Sequence, residues 1–155
     1  MTDAIAKLLR PSCVLLDCEF STSDEVIRAI GGKLFEAGFV KETFIQAAID
    51  REAKLPTGLP LAGGINAAIP HTDIEHVIKP ALGMAVLKKE VNFRNMILPD
   101  ELVPVRLVFL LALEQPKAQV EMLQAVAGVL QNPALVNEIV SEKEVKNVID
   151  LFAVK

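Results

Sequence analysis

Val105-Arg106-Leu107-Val108-Phe109-Leu110-Leu111-Ala112-Leu113 decides the fold. It is apolar almost throughout, so it predicts a central strand of a sheet covered on both faces. The unbroken part, Leu107 to Leu113, has seven residues, far short of the roughly 20 that a membrane-spanning helix needs. Leu82 to Lys88 predicts another strand, with Val91 to Pro104 as a connection of mixed polarity between the two.

Downstream, Val120, Leu123, Val126, Ala127 and Leu130 keep helical spacing across Lys117 to Leu130. Asn132-Pro133 reads as an N-cap followed by Pro at the first helical position, opening a short helix to Val140. Ser141-Glu142-Lys143-Glu144 is a capping box for a last helix through Phe152, with Val145, Val148, Ile149 and Phe152 inward. Upstream, Ser12 to Asp17 reads as a strand, and Thr22-Ser23-Asp24-Glu25 caps a helix whose stripe is Val26, Ile27, Ile30, Leu34 and Phe35. Gly38 stops it, and Lys41 to Glu52 predicts a second helix with Phe44, Ile45, Ala48 and Ile49 on one face. Lys54 to Gly64 holds Pro56, Gly58, Pro60, Gly63 and Gly64, an ordered turn system that feeds a short strand over Ile65 to Ile69. The expected fold is α/β, a mixed sheet sandwiched between helical layers, with strand order left open.

The chain of 155 residues fits one domain, 1–155, since at that length roughly 70% of the unfolded surface can be buried. Met1 to Lys7 lacks the basic-then-apolar order of a secretory signal, which predicts a cytoplasmic protein. Cys13 and Cys18 lie five apart in a predicted strand, which sends them to opposite faces as free thiols with no local disulfide or zinc pair. The net charge is −4, with no Trp or Tyr, so the charge and stacking that nucleic-acid binding draws on are missing. No G-x-x-x-x-G-K-[ST] or G-x-G-x-x-G run supports a nucleotide cofactor, and no nucleophile elbow supports a serine or thiol hydrolase.

His71 ends the strand Ile65-Asn66-Ala67-Ala68-Ile69, where Pro70 stops the pairing and displays the imidazole at the rim of a rigid element. A His so placed serves as nucleophile, proton carrier, metal ligand or plain structural residue. His71-Thr72-Asp73-Ile74-Glu75-His76 could chelate Zn²⁺ or Mn²⁺. No third group of ligands stands out elsewhere, however, and His76 reads as a solvated residue near a helical turn.

Arg51-Glu52-Ala53-Lys54-Leu55-Pro56-Thr57-Gly58-Leu59, followed by Gly64-Ile65-Asn66-Ala67-Ala68-Ile69-Pro70-His71, resembles the signature of the type-2 (mannitol/fructose-like) enzyme IIA domains of the bacterial phosphoenolpyruvate-dependent sugar phosphotransferase system. The order of elements is similar over nearly all of the chain. The resemblance implies the mannitol-type enzyme IIA fold, and a phosphocarrier in which His71 takes a phosphoryl group from HPr and passes it to a cysteine of a IIB component. That component serves a IIC permease in sugar uptake. No metal and no cofactor are implied, and Nε2 is the implied site of phosphorylation. Phosphoryl transfer asks the protein for alignment and charge compensation, and Arg51, at a motif position where the family carries Arg, is the candidate cation. Its alternative is a solvated residue ending the second helix.

Mannitol and fructose branches carry a second His at the start of the helix after the last long strand, whereas the matching position here is Gln119. An amide can donate to a phosphoryl oxygen but cannot titrate. Gln119 with Pro56-Thr57-Gly58-Leu59 looks more like the galactitol branch; otherwise Gln119 is a solvent-facing residue of a first helical turn. Ile65, Ile69 and Ile74 could form a docking face for successive partners or belong to the core. Two other functions compete: a regulator similar to the nitrogen-type branch, acting by protein binding, and a metal-dependent hydrolase built on His71, Asp73 and His76.

Overall fold

The computed structural model describes residues 3–153. The elements run α1 (Asp3–Leu8), β1 (Leu9–Cys18), α2 (Ser23–Glu36), α3 (Phe44–Lys54), β2 (Gly58–Leu59), β3 (Asn66–Ala68), a 3₁₀ turn (Ile74–His76), β4 (Ala81–Arg94), β5 (Leu102–Ala112), α4 (Pro116–Leu130), α5 (Pro133–Ser141) and α6 (Val145–Ala153). The sheet order is β1-β4-β5-β3-β2. β1 runs parallel to β4 and β3 parallel to β5, while β4 with β5 and β2 with β3 are antiparallel. A mixed sheet between helical layers, as expected, is the result.

β5 lies inside the sheet with apolar contacts on both sides. Val108, Leu110 and Ala112 pack toward α2 and α3, against Val26, Ile27, Ile30, Leu34, Phe44 and Ala48. Leu107, Phe109, Leu111 and Leu113 pack toward the other helices, against Ile5, Met122, Val126, Val136, Ile139, Val148 and Phe152. Alternate side chains of a strand point to opposite faces, so a strand in this position is apolar wherever both faces are covered. Phe109 and Phe152 meet edge to face at 5.9 Å between ring centroids.

The β4–β5 connection is shorter than the sequence suggests. Val91 to Arg94 and Leu102 to Pro104 are paired strand, with Val91 opposite Val105 and Arg94 opposite Leu102. The polar run Lys88-Lys89-Glu90 that obscured this is an exposed bulge, set against Arg106 between the pairs Val86↔Leu107 and Val91↔Val105. Arg106 Nε donates to the Leu87 carbonyl at 2.9 Å and so occupies the gap. The bulge also changes the parity of β5: Val103 and Val105 face the same core as Val108 and Leu110.

Three helix ends follow the sequence, both ends of α2 and the start of α5. Thr22 Oγ1 accepts from Glu25 N at 3.2 Å, and Glu25 Oε1 accepts from Ser21 N, one residue earlier than an ideal capping box. Asn132 Oδ1 accepts from Leu135 N. Gly38, at φ 84°, ends α2 with Phe39 N donating to Leu34 O and Gly38 N to Phe35 O. Ser141 does not cap the last helix; it closes α5, its hydroxyl donating to Asn137 O at 2.7 Å. Two stripes are rotated from their expected positions. Phe35 is 46% and Val120 54% exposed, and Gly31 in α2 and Met122 and Val129 in α4 are buried instead.

α1 and β2 were not expected. α1 is short, but its Ile5 is wholly buried. Cys13 and Cys18 are free, yet both contact the α2–α3 core, because Asp17 at φ 56° inserts a step that reverses the alternation. Gly58 in β2 admits no side chain: a Cβ there would stand 2.5 Å from the Arg94 carbonyl oxygen. This close approach joins the segment before β3 to the end of β4, where Met96 N donates to Gly58 O.

Candidate functional site

β3 and β5 are parallel neighbours, so the residues that follow them emerge at one edge of the sheet. Ile69 and Pro70 continue inward from β3 and are buried. Pro70 has no N–H to donate, but its carbonyl accepts from Leu111 N at 3.2 Å. His71 comes next and is half-buried. The segment beyond it is clamped from the other side, with Val40 bridged to Val77, Lys41 N donating to His76 O, and Ile78 N to Phe39 O.

His71 Nδ1 lies 3.0 Å from the carbonyl oxygen of Ile69. A carbonyl only accepts, so Nδ1 carries the hydrogen, and in the neutral ring the lone pair is on Nε2. Burial lowers the pKa of the ring; the bond to Ile69 opposes this, Arg51 lowers it further and Asp73 raises it. The net lowering favours the uncharged imidazole, the state a nitrogen nucleophile requires.

Arg51, in the last turn of α3, donates from Nη1 to Asp73 Oδ1 at 3.3 Å. Its Nε is buried and makes no hydrogen bond. Gln119 is half-buried in the first turn of α4, its N donating to Gln115 O and its Oε1 buried without a partner. Ile69 is 4% exposed and belongs to the core, and Ile65 packs against it, so of the three isoleucines Ile74 alone has no place in either core cluster.

The structure thus brings His71, Arg51 and Asp73 together and sets Gln119 at the same sheet edge. His76 is elsewhere occupied: its Nδ1 is hydrogen-bonded to Thr43 Oγ1 at 2.8 Å, and its side chain is 20% exposed, not solvated as expected. Among the described residues no three His, Cys, Asp or Glu are grouped to hold a metal ion.

Glu52 and Thr57 were quoted in the motif but given no task, and both are buried behind the site. Thr57 N donates to Glu52 Oε2 and Thr57 Oγ1 to Glu52 Oε1, each at 2.8 Å. The signal available was an acidic residue on the helix face that packs inward, three beyond Ile49. Burial pushes the carboxyl up to about 7 against the two bonds from Thr57, which lower it. A carboxyl that holds its proton more tightly folded than unfolded stabilises below its unfolded pKa, and that stabilisation is lost as pH rises through the folded value. Glu52→Gln does not titrate. Its melting temperature relative to the wild type should therefore climb from pH 4.5 to about 7 and then level, a swing on the order of 3 kcal/mol. A difference that stays flat from pH 4 to 8 would show that folding leaves the Glu52 pKa unshifted.

The family model for the phosphoenolpyruvate-dependent sugar phosphotransferase system, EIIA 2, matches residues 7–154. The chain belongs to this family. As an enzyme IIA it is a phosphotransferase component of that system, of the galactitol and mannitol type. It is 34% identical over 125 residues to the galactitol-specific EIIA component of Escherichia coli strain K12, covering 81% of this chain and 82% of that one. The fold matches the mannitol enzyme IIA of Escherichia coli, solved in complex with phosphorylated mannitol enzyme IIB, at a TM-score of 0.77 and 23% identity over 94% and 96% of the two chains. It also matches the nitrogen regulatory protein IIA-Ntr of Neisseria meningitidis at 0.73 and 21%, over 96% and 98%. No helix among the described residues is long and apolar enough to cross a membrane.

Proposed function

We propose that this enzyme IIA, over residues 1–155, is a cytoplasmic phosphocarrier that accepts a phosphoryl group from phospho-HPr on Nε2 of His71. It then gives the group to the cysteine of a IIB component that serves a IIC permease. The observation that carries this reading is the bond from His71 Nδ1 to the Ile69 carbonyl, which commits one nitrogen and leaves the other as the nucleophile. In the first step the Nε2 lone pair attacks phosphorus, an N–P bond forms on His71, and the N–P bond of the donor breaks, its electron pair remaining on the donor imidazole. In the second step the cysteine thiolate attacks, an S–P bond forms, and the His71 N–P bond breaks. Nδ1 keeps its hydrogen through both, so no proton need leave the ring.

Charge spreads over the equatorial oxygens during each transfer. Arg51 supplies the compensating cation, held in place by Asp73. Gln119 offers an uncharged amide at the same edge, a further donor to the phosphoryl oxygens. The galactitol-specific relative and the amide at position 119 support galactitol or a related alditol as the sugar. The nitrogen-type regulatory reading has only the shared fold behind it, and the hydrolase reading loses His76 to Thr43 and Asp73 to Arg51.

Incubation with phosphoenolpyruvate, enzyme I and HPr should add the mass of one phosphoryl group, stable in base and labile in acid. A galactitol-type IIB component added next should discharge it. An unchanged mass beside phosphorylated HPr would refute the carrier reading, and a charge that no IIB can remove would favour the regulator.

A further inference from the structure

The ring of His71 is tied into the protein by a chain of four groups. Glu52 accepts both Thr57 N–H and Thr57 Oγ1–H. Thr57 Oγ1 accepts Ile69 N–H at 3.1 Å, and the Ile69 carbonyl accepts His71 Nδ1–H. We propose that Glu52 and Thr57 are positioning residues for the transfer reaction: through the Ile69 backbone they hold His71 in the Nδ1–H tautomer and so present Nε2 to the phosphoryl donor. The inference rests on the carrier reading given above.

While the carboxyl is ionised, the direction of the chain is set by its first member. An oxygen of Glu52 takes the hydroxyl hydrogen of Thr57, which leaves Oγ1 only lone pairs to offer and makes it an acceptor for Ile69 N–H. That N–H lies beyond the sheet ladder, since the pairing of β3 with both of its neighbours ends at Ala68. Thr57 is thus its replacement for a strand partner.

Three separate elements meet here: the end of α3, the turn before β2, and the exit of β3. Glu52, Thr57 and Ile69 are 7%, 4% and 4% exposed, and in such surroundings hydrogen bonds strengthen while an unpaired group is costly. A hydroxyl alone would satisfy Ile69 N–H. The buried carboxyl adds a fixed orientation of that hydroxyl, at a cost visible in its raised pKa. With Ile69 N–H and the Pro70 carbonyl both anchored, the intervening carbonyl is held toward the ring.

The test is the ¹⁵N imidazole spectrum of His71, recorded with the rate of phosphorylation by phospho-HPr in the full chain. Thr57→Val removes the hydroxyl at nearly constant volume, and the ratio of Nδ1–H to Nε2–H tautomer should fall roughly tenfold, the rate falling with it. Thr57→Ser should restore both. An unchanged tautomer ratio in folded Thr57→Val would overturn the proposal. Should that variant fail to fold, Glu52→Gln decides: its amide reverses the bond to Oγ1, and the ratio should drop roughly threefold, with no change again overturning it. The two readings fail separately. A wild type that takes no phosphoryl group defeats the carrier reading, whereas the tautomer ratios are measured without any transfer.

Discussion

His71→Ala should abolish phosphoryl uptake from phospho-HPr while the protein stays folded. The side chain is half-buried and makes one hydrogen bond, to a backbone carbonyl at the sheet edge. Its removal therefore costs about 1 kcal/mol, a fall in Tm of roughly 2–4 °C for a chain of this length. The other imidazole of the chain, His76, ends the 3₁₀ turn and is engaged by Thr43. His76→Ala should accordingly still be charged to one phosphoryl group. Intact mass after incubation with the phosphoryl-transfer proteins distinguishes the two variants, and a fully charged His71→Ala protein would remove His71 from the mechanism.

Arg51→Ala should slow transfer by roughly 10²-fold, the scale on which one preorganised donor to a developing anion acts. The effect on stability is smaller, because Asp73 is mostly exposed and pairs of that kind contribute no more than about 1 kcal/mol. Lysine should recover only part of the rate. Its ammonium can replace the charge, but it has no second nitrogen with which to hold Asp73 and donate toward the phosphoryl oxygens at once. Quenched-flow measurement of phosphoprotein formation reads the rate directly. A rate within twofold of the wild type in Arg51→Ala would make Arg51 a residue that packs the end of α3.

The parts of the fold that were legible in the sequence are those decided by local chemistry. β5 could be recognised because a strand covered on both faces is apolar at nearly every step, and Thr22, Gly38 and Asn132 because their caps involve only neighbours. What escaped depends on distant groups. The charged run Lys88-Lys89-Glu90 looked like the start of a connection, and only the guanidinium of Arg106, on the partner strand, makes it a bulge in continuous pairing. The parity of Cys18 was reversed by one unusual dihedral at Asp17, a residue whose type does not announce it. Ser141 satisfied a capping pattern that the end of α5 had already used.

The candidate site divides in the same way. His71 and Arg51 stand in a motif that names them, but the roles of Asp73, Glu52 and Thr57 arise from side chains meeting across elements. Period and propensity carry no trace of such meetings. A buried acid at the end of an amphipathic helix was the one clue, and an acid in a last helical turn ordinarily faces water.

One ring nitrogen of His71 is sealed against the backbone and the other is open. Loading and unloading then have to use the same doorway. A donor and an acceptor cannot stand in it together, so a carrier charged on this nitrogen would meet its partners one after the other, and a large surplus of uncharged acceptor should hold the donor out.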